Sequence, residues 1–341
     1  MMRRGNPKTM ISIFDDPSLL ARFKRKRNTL IDALYIDVNR DYRASCLLAG
    51  SGRSGTTWLA ETLNSDNSYR YVYEPFNRGH VPLCKHFATR QYLRPDDRDP
   101  RFLEPARAIF TGRLRNGWTD SHNRRAIGTK RLIKDVRSTL MLKWISRHFP
   151  SMPLIFMMRH PCAVAHSRVK LGWTTKLREM FFSQPQLVED FLIPFRGAME
   201  KSKSAFSTHI FDWCVENYVP LSLLRSGDAH MLFYERLCMD PQTEWARLFA
   251  TLRRPFDGSA LDAINKPSAT TRPGKAKTQK AASPEQLVDG WRAHVSADEI
   301  RRTVEILSLF GLDDIYADGP MPKVENALRG DESAMLSDRA S

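Results

Sequence analysis

The stretch from Cys46 to Asn64, CLLAGSGRSGTTWLAETLN, constrains this chain more than any other part of it. An apolar run passes through three glycines and continues at helical spacing, which is how a strand, a tight anion-binding turn and a helix are written in succession. Gly50 and Gly55 have the spacing of GxxxxG, and Gly52 between them lets the backbone take positive φ. Backbone N–H groups in such a turn converge, and the positive end of the following helix adds to their field, so a tetrahedral anion fits there. An ATP- or GTP-binding loop places lysine where this chain has Thr56. Arg53 supplies the charge instead, and Thr56 and Thr57 add hydroxyl donors. A turn that holds no ligand is the alternative reading. Lysine and Mg²⁺ neutralise transferring phosphates in kinases and NTPases, and no strand here ends in an evident magnesium-binding Asp. The group in transit is therefore expected to carry less charge than a phosphoryl group.

From Ala44 onward, strand-like runs alternate with helical ones. The runs 45–50, 69–73, 131–136, 153–159 and 229–235 are apolar nearly throughout, with helical stretches at 55–64, 138–148, 161–170, about 197–224, 241–253 and 297–310 between and after them. Continuous apolar strands separated by helices predict an α/β fold, a P-loop-like parallel sheet with helices on both faces. Ligands then gather at the carboxyl ends of the strands. With 341 residues and 42% hydrophobic content, the chain can bury the core of one large domain or two small ones, and one is expected.

Residues 75–130 break the pattern with prolines, glycines and arginines, and read as an irregular acceptor-binding insert. Residues 264–286 read as a basic loop. The organisation expected is an N-terminal basic amphipathic extension over 1–43, a domain over 44–316 and a weakly ordered tail over 317–341. The extension reads as a helix packed on the domain or lying on an anionic membrane.

A net charge of +15 favours anionic ligands, and residues 76–131 alone hold 13 basic against five acidic side chains, +8 of the total. That segment is either a solvated basic surface or a patch facing an acceptor. No nucleic-acid module is recognisable, so no nucleic-acid partner is expected. Five scattered cysteines without a CxxC pair indicate neither a disulfide framework nor a zinc site. No apolar run approaches the roughly 20 residues of a membrane span, and the N-terminus lacks a signal-peptide core. The expectation is a cytoplasmic protein, with peripheral membrane contact through the extension left open and oligomeric state unread.

SGRSGTTWL resembles the 5′-phosphosulfate loop of sulfotransferases that use 3′-phosphoadenosine 5′-phosphosulfate (PAPS). PLIFMMRHPCAVAHSR resembles their 3′-phosphate segment, a strand ending in Arg and then a helix with Ser eight residues on, and Arg159 and Ser167 keep that spacing. The residue types suit the role, since arginine offers a forked donor to phosphate. His160 stands where Asp or Asn is more common, and Arg168 is open to being an exposed helix arginine. FYERLCMDP resembles a Tyr-Glu-(Asp/Asn)-Leu segment, which implies Tyr234 near the adenine or sugar with Glu235 in support. By the same resemblance Trp58 stacks on adenine, and TTRPGKAK is the basic loop that closes over the 3′-phosphate through Arg272 and Lys275. Tyr234 and Trp58 are equally readable as core residues. The resemblance spans Ala44 to Tyr316. It implies a donor site of Arg53, Ser54, Gly55, Thr56, Thr57, Trp58, Arg159, Ser167, Tyr234, Arg272 and Lys275, and no required metal.

Sulfuryl transfer needs a proton removed from the acceptor and charge stabilised on the leaving oxygen. Cytosolic small-molecule sulfotransferases carry a histidine base in a Lys-Thr-His segment, where this chain has LIKDVRS and no histidine. YRYVYEPFN resembles the carbohydrate sulfotransferases instead, and implies Glu74, 21 residues after Arg53, as base. Orienting substrate and capping a turn are its alternative roles. Lys134 and Arg137 are expected to steady the leaving phosphate or an anionic acceptor, with Asp135 as second base candidate. The histidines of the insert, His80, His86 and His122, read as surface residues. The expected activity is sulfuryl transfer from PAPS to a hydroxyl, less readily an amine, of a carbohydrate or glycoconjugate. The alternatives are a small hydroxylated metabolite or lipid as acceptor, or a P-loop nucleotide-binding protein or kinase.

Overall fold

The computed structural model describes residues 35–256 and 283–328. Its strands are β1 (Ile36–Asp37), β2 (Ser45–Gly50), β3 (Arg70–Tyr73), β4 (Ile127–Gly128), β5 (Arg131–Asp135), β6 (Leu154–Met158) and β7 (His230–Phe233). Its principal helices are α1 (Thr56–Leu63), α2 (Pro100–Phe110), α3 (Leu142–His148), α4 (Pro161–Lys170), α5 (Ala205–Leu223), α6 (Tyr234–Met239), α7 (Pro241–Thr251), α8 (Pro284–Asp289) and α9 (Ala297–Leu309). Five strands make one sheet in the order β3-β5-β2-β6-β7, every neighbouring pair parallel. From β2 the chain goes first to one side of the sheet and later to the other. The loop after β2 therefore lies at the switch point, where the crevice of a parallel sheet opens.

Strand side chains alternate between two buried layers. Leu47, Ala49, Val72, Ile133, Phe156 and Met158 belong to one core, and Cys46, Leu48, Tyr71, Leu132, Ile155 and Met157 to the other. Burial on both faces is why these strands read as unbroken apolar runs, each fully buried Leu, Ile or Met contributing about 1.5–3 kcal/mol. Helix starts follow local chemistry as well. Pro161 occupies the first turn of α4, where the N–H it lacks has no partner, and the His160 ring accepts from Cys162 N. Ser296 and Glu299 close a reciprocal capping box on α9.

The structure shifts several expected boundaries. Tyr234 and Glu235 open α6 instead of ending a strand, and the long helix near 197–224 is broken between Arg196–Glu200 and α5. The 75–130 insert is not a loose loop, because Phe76, Val81, Cys84, Phe87, Tyr92 and α2 all contribute to the larger core. Its charge is partly spent internally, as Arg94 pairs with Glu189 and Asp190 and Arg107 with Glu104. The end of the extension is built in as well. Asp37 on β1 is buried between Arg70 and Arg131, and Asp120 takes the other side of Arg70. Residues 317–328, read as tail, pack down instead, with Leu328 in the core and Arg236 Nη2 donating to Val324 O at 3.1 Å. The expected basic loop gives way at Ser283 to the capping box of α8. The amphipathic run of the extension, most of that loop and the end of the tail lie outside the described residues.

Candidate active site

The loop after β2 is held from below by groups that sequence spacing does not reveal. Arg168 on α4 is fully buried. It donates through Nε and Nη2 to Gly52 O at 3.2 and 3.1 Å, and pairs with Asp212 at 2.8 Å and Glu216 at 2.7 Å, one turn apart on α5. Arg90 from the insert completes this network through the same two carboxylates, and Asn217 Nδ2 donates to Ser51 Oγ. Two glycines of the loop answer to packing. A Cβ on Gly50 would stand 2.4 Å from Met157 O, and Gly55 at φ +93° has the Tyr234 ring against it. Arg53 also sits at positive φ, +80°, which costs a non-glycine residue about 1–2 kcal/mol. Such strain tends to mark working sites.

Above the loop lie two arginines with no carboxylate partner among the described residues. Arg53 Nε donates to Ser167 Oγ at 3.0 Å, and Arg159 Nη1 to Arg53 O at 3.3 Å. Arg159 Nη2 reaches Leu287 O at 3.4 Å, and its guanidinium stacks over Tyr234 at 4.1 Å. Burial, and then the charges of Arg159 and Arg168, hold Arg53 below the usual arginine range. Crowded cations of this kind are stabilised by an anion. Trp58 packs edge-on against Tyr234 and Trp245 at 5.8 and 6.2 Å. Glu235, fully buried, accepts from His160 N and from the Tyr316 hydroxyl, both at 2.8 Å, and so fixes the backbone just after Arg159.

One and two strands from β2, at the carboxyl ends of β5 and β3, Glu74 lies between two cations. Lys134 Nζ meets its Oε1 at 2.7 Å and Arg137 Nη1 its Oε2. Glu74 has φ +42° and is 7% exposed. Burial pushes its carboxyl up, but the charges and hydrogen bonds of Lys134 and Arg137 outweigh that and hold it below the ordinary range. Lys134 Nζ also lies 4.9 Å from the Tyr73 ring. Burial, and then the neighbouring Glu74 carboxylate, push the Tyr73 phenol up to about 12, and its hydroxyl lies within electrostatic range of Arg53.

The expected residues thus fall into three groups. Arg53, Gly55, Thr56, Thr57, Trp58, Arg159, Ser167 and Tyr234 converge on the loop and the end of β6, whereas Glu74, Lys134 and Arg137 form a second cluster beside it. Ser54 is engaged within the loop itself, its N–H and hydroxyl both donating to Ser51 O, at 3.0 and 2.6 Å. It braces the turn. Asp135 is likewise taken up by local backbone. Burial raises its carboxyl to about 6, a value that suits proton transfer. It is nevertheless fully buried, and its oxygens accept from Phe76 N at 3.0 Å and Arg137 N at 2.6 Å, so it serves as a backbone clamp. Arg168 is a buried network member and no surface arginine. Arg272 and Lys275 lie outside the described residues. Asp212, Glu216 and Asn217 were invisible as site residues, since their only sequence signal is polarity in the middle of a helix that is largely apolar there.

The sequence profile described as Sulfotransferase family matches residues 45–258, more than half the chain. The chain belongs to the sulfotransferase family. A search among curated proteins finds no match. Among solved structures, the sulfotransferase domain from the curacin biosynthetic pathway is similar over 80% of this chain and 98% of its own, at 16% identity and a TM-score of 0.42. Sulfotransferase STF9 from Mycobacterium avium is similar over 87% and 81%, at 12% identity and 0.41. Mouse sulfotransferase SULT7A1, in complex with PAP, is similar over 82% and 88%, at 12% and 0.41. Scores this low carry no weight of their own; the family rests on the sequence match and the fold on the sheet order above. No helix among the described residues is long and apolar enough to cross a membrane, and no group of three or more His, Cys, Asp or Glu among them is placed to hold a metal.

Proposed function

We propose that this sulfotransferase takes its sulfuryl group from PAPS and delivers it to a hydroxyl of a carbohydrate or glycoconjugate. The observation that carries the donor reading is the pair Arg53 and Arg159, adjacent over a glycine loop and lacking any carboxylate partner among the described residues. An anion with two separated charged ends fits this pair. The loop N–H groups, Arg53, Thr56 and Thr57 would hold the 5′-phosphosulfate, and Arg159 with Ser167 the 3′-phosphate. Tyr234 and Trp58 offer aromatic surface between them for the adenine. Cationic Lys134 and Arg137 supply charge on the side from which an acceptor would arrive, where they hold the sulfuryl oxygens or an anionic acceptor, while the loop N–H groups and Arg53 on the opposite side stabilise the oxygen that departs with the broken bond's electrons. Glu74 keeps those two cations in place, a role nearer to orientation than to proton transfer.

The acceptor class rests on the YEP segment at the end of β3, with Tyr73 and Trp118, 5.3 Å apart, as ring surface on which a sugar can pack. A specific feature favours the second acceptor class, a small hydroxylated metabolite or lipid. Val169, Leu171 and Trp173 are all exposed at the end of α4, and a Cβ on Gly52 would meet the Trp173 ring at 3.1 Å. Incubation with ³⁵S-labelled PAPS and a panel of glycosides, oligosaccharides and hydroxylated lipids tests both. Label in the saccharides supports the first class and label confined to lipids the second. Label in neither, while the bisphosphate product PAP still binds, would overturn both acceptor assignments and leave the donor intact.

A further inference from the structure

The acceptor hydroxyl has to lose a proton, and Glu74 is poorly free to take it. Both of its oxygens are already occupied, and removing either partner leaves a buried charge. The insert brings another group to the same place. We propose that His122 accepts this proton, an assignment that rests on sulfuryl transfer from PAPS as read above.

His122 is exposed, yet its position is fixed. The turn that carries it is sewn to the edge of β3: Tyr73 N donates to Thr119 O at 2.9 Å, Tyr71 N to Asn123 Oδ1 at 2.7 Å, and Asn123 Nδ2 to Tyr71 O at 3.1 Å. Asp120 anchors the turn from inside through its paired bonds to Arg70, both 2.8 Å. The imidazole therefore packs on Tyr73 at 5.0 Å and Tyr71 at 5.7 Å. Tyr73 in turn carries Lys134 on its ring and Glu74 beside its phenol. The ring of His122 is thus one side chain removed from the cationic cluster, and neither of its nitrogens is committed to a hydrogen bond among the described residues. Two other histidines near the loop are spent. His160 uses both ring nitrogens, on Cys162 N and Ala317 O, and His209 uses both on Thr175 and Trp173 O.

The titratable and charged groups facing His122 are Tyr71 and Tyr73 from β3 and Lys134 from β5. Packing against its neighbours, and then the Lys134 charge, hold the imidazole below its usual 6.5, so it is neutral at neutral pH and able to accept a proton. In the step itself the acceptor oxygen bonds to sulfur as the bond from sulfur to the 5′-phosphate oxygen breaks. The hydroxyl proton passes to an imidazole nitrogen, and the electron pair of the broken bond leaves on the phosphate. The imidazolium then returns its proton to water.

The test uses the full chain with ¹³C-labelled histidine. The His122 signal is assigned by its loss in His122→Gln and titrated with and without saturating PAP. The expected midpoint lies below 6.5 in the free protein and rises when the PAP anion is bound, since a nearby negative charge favours imidazolium. In parallel, release of labelled sulfate from PAPS with water as acceptor should fall about 100-fold or more in His122→Gln while PAP affinity stays within about threefold. The acid limb of the rate profile should vanish with it. A midpoint unmoved by PAP, or a His122→Gln rate near that of the wild type, overturns the assignment. If PAP does not bind the wild type at all, it is the donor reading that has failed, and calorimetry separates that result from the other two.

Discussion

Replacing Lys134 by methionine and Glu74 by glutamine, singly and together, probes the cluster on which the proposed acceptor side depends. The Lys134 ammonium is 2.7 Å from Glu74 Oε1, with side chains 3% and 10% exposed. At that separation the gross attraction is about 6 kcal/mol for an effective dielectric of ~20, and desolvation of the two ions offsets several kcal/mol of it. Removing one partner strands the other, which typically costs about 3–5 kcal/mol. Arg137 remains on Glu74 in the Lys134→Met protein, so the low end, about 3 kcal/mol, is expected there. Glu74→Gln leaves two cations facing a neutral amide and should cost about the same. The double variant removes both charges and should fall short of the sum of the singles by about 1.5–3 kcal/mol. Urea unfolding of the four proteins, read by tryptophan fluorescence, gives the coupling directly. Additivity within about 0.5 kcal/mol would refute the picture of Glu74 as the shared anchor of the two cations.

The same cluster gives a pH dependence whose sign is fixed. The folded Glu74 carboxyl lies below its ordinary 4.5, so its stabilisation is complete above that value and disappears as pH falls through the folded one. The urea-midpoint gap between wild type and Glu74→Gln should therefore narrow steadily below about pH 4.5, and a gap that widens contradicts the ion triad. At the loop, Gly50→Ala sets a Cβ 2.4 Å from Met157 O, whereas Gly79→Ala meets only Asn77 Oδ1 at 3.4 Å. A thermal-unfolding comparison should show a large loss for the first and little for the second. Arg168→Lys keeps the charge but not the fork that reaches Gly52 O, Asp212 and Glu216 together. It should lower stability by about 2 kcal/mol and weaken PAP binding, while wild-type PAP affinity would show that the loop does not lean on Arg168.

Much of the fold was legible because the sheet is buried on both faces. Leu47, Leu48, Ile133, Ile155 and Phe156 leave apolar runs that a strand in a half-exposed sheet would not. The glycine loop was legible for a related reason, since its glycines are demanded by local geometry at Gly50 and Gly55. Groups that act across long sequence distances were not. Arg168 stayed open to being an exposed helix arginine because its partners sit 44 and 48 residues away on α5. Ser54 and Asp135 have the right residue types at the right places, yet each spends its polar atoms on neighbouring backbone, a fact that only the turn geometry discloses. His122 read as decoration because the Asn123 and Asp120 bonds that bring its turn against β3 are tertiary contacts without a spacing rule.

The central claim is that a cationic pair over a lysine-free glycine loop holds a donor carrying both 5′- and 3′-anionic groups. Calorimetry of the wild type and Arg159→Ala against PAP, and against ATP with magnesium, tests it most directly. PAP should bind the wild type far more tightly than ATP does, with affinity for PAP falling at least about tenfold in Arg159→Ala, the loss expected for one charge-assisted contact of about 1.5–3 kcal/mol. Equal binding of ATP and PAP, or an Arg159→Ala protein that keeps full affinity for PAP, would contradict the account.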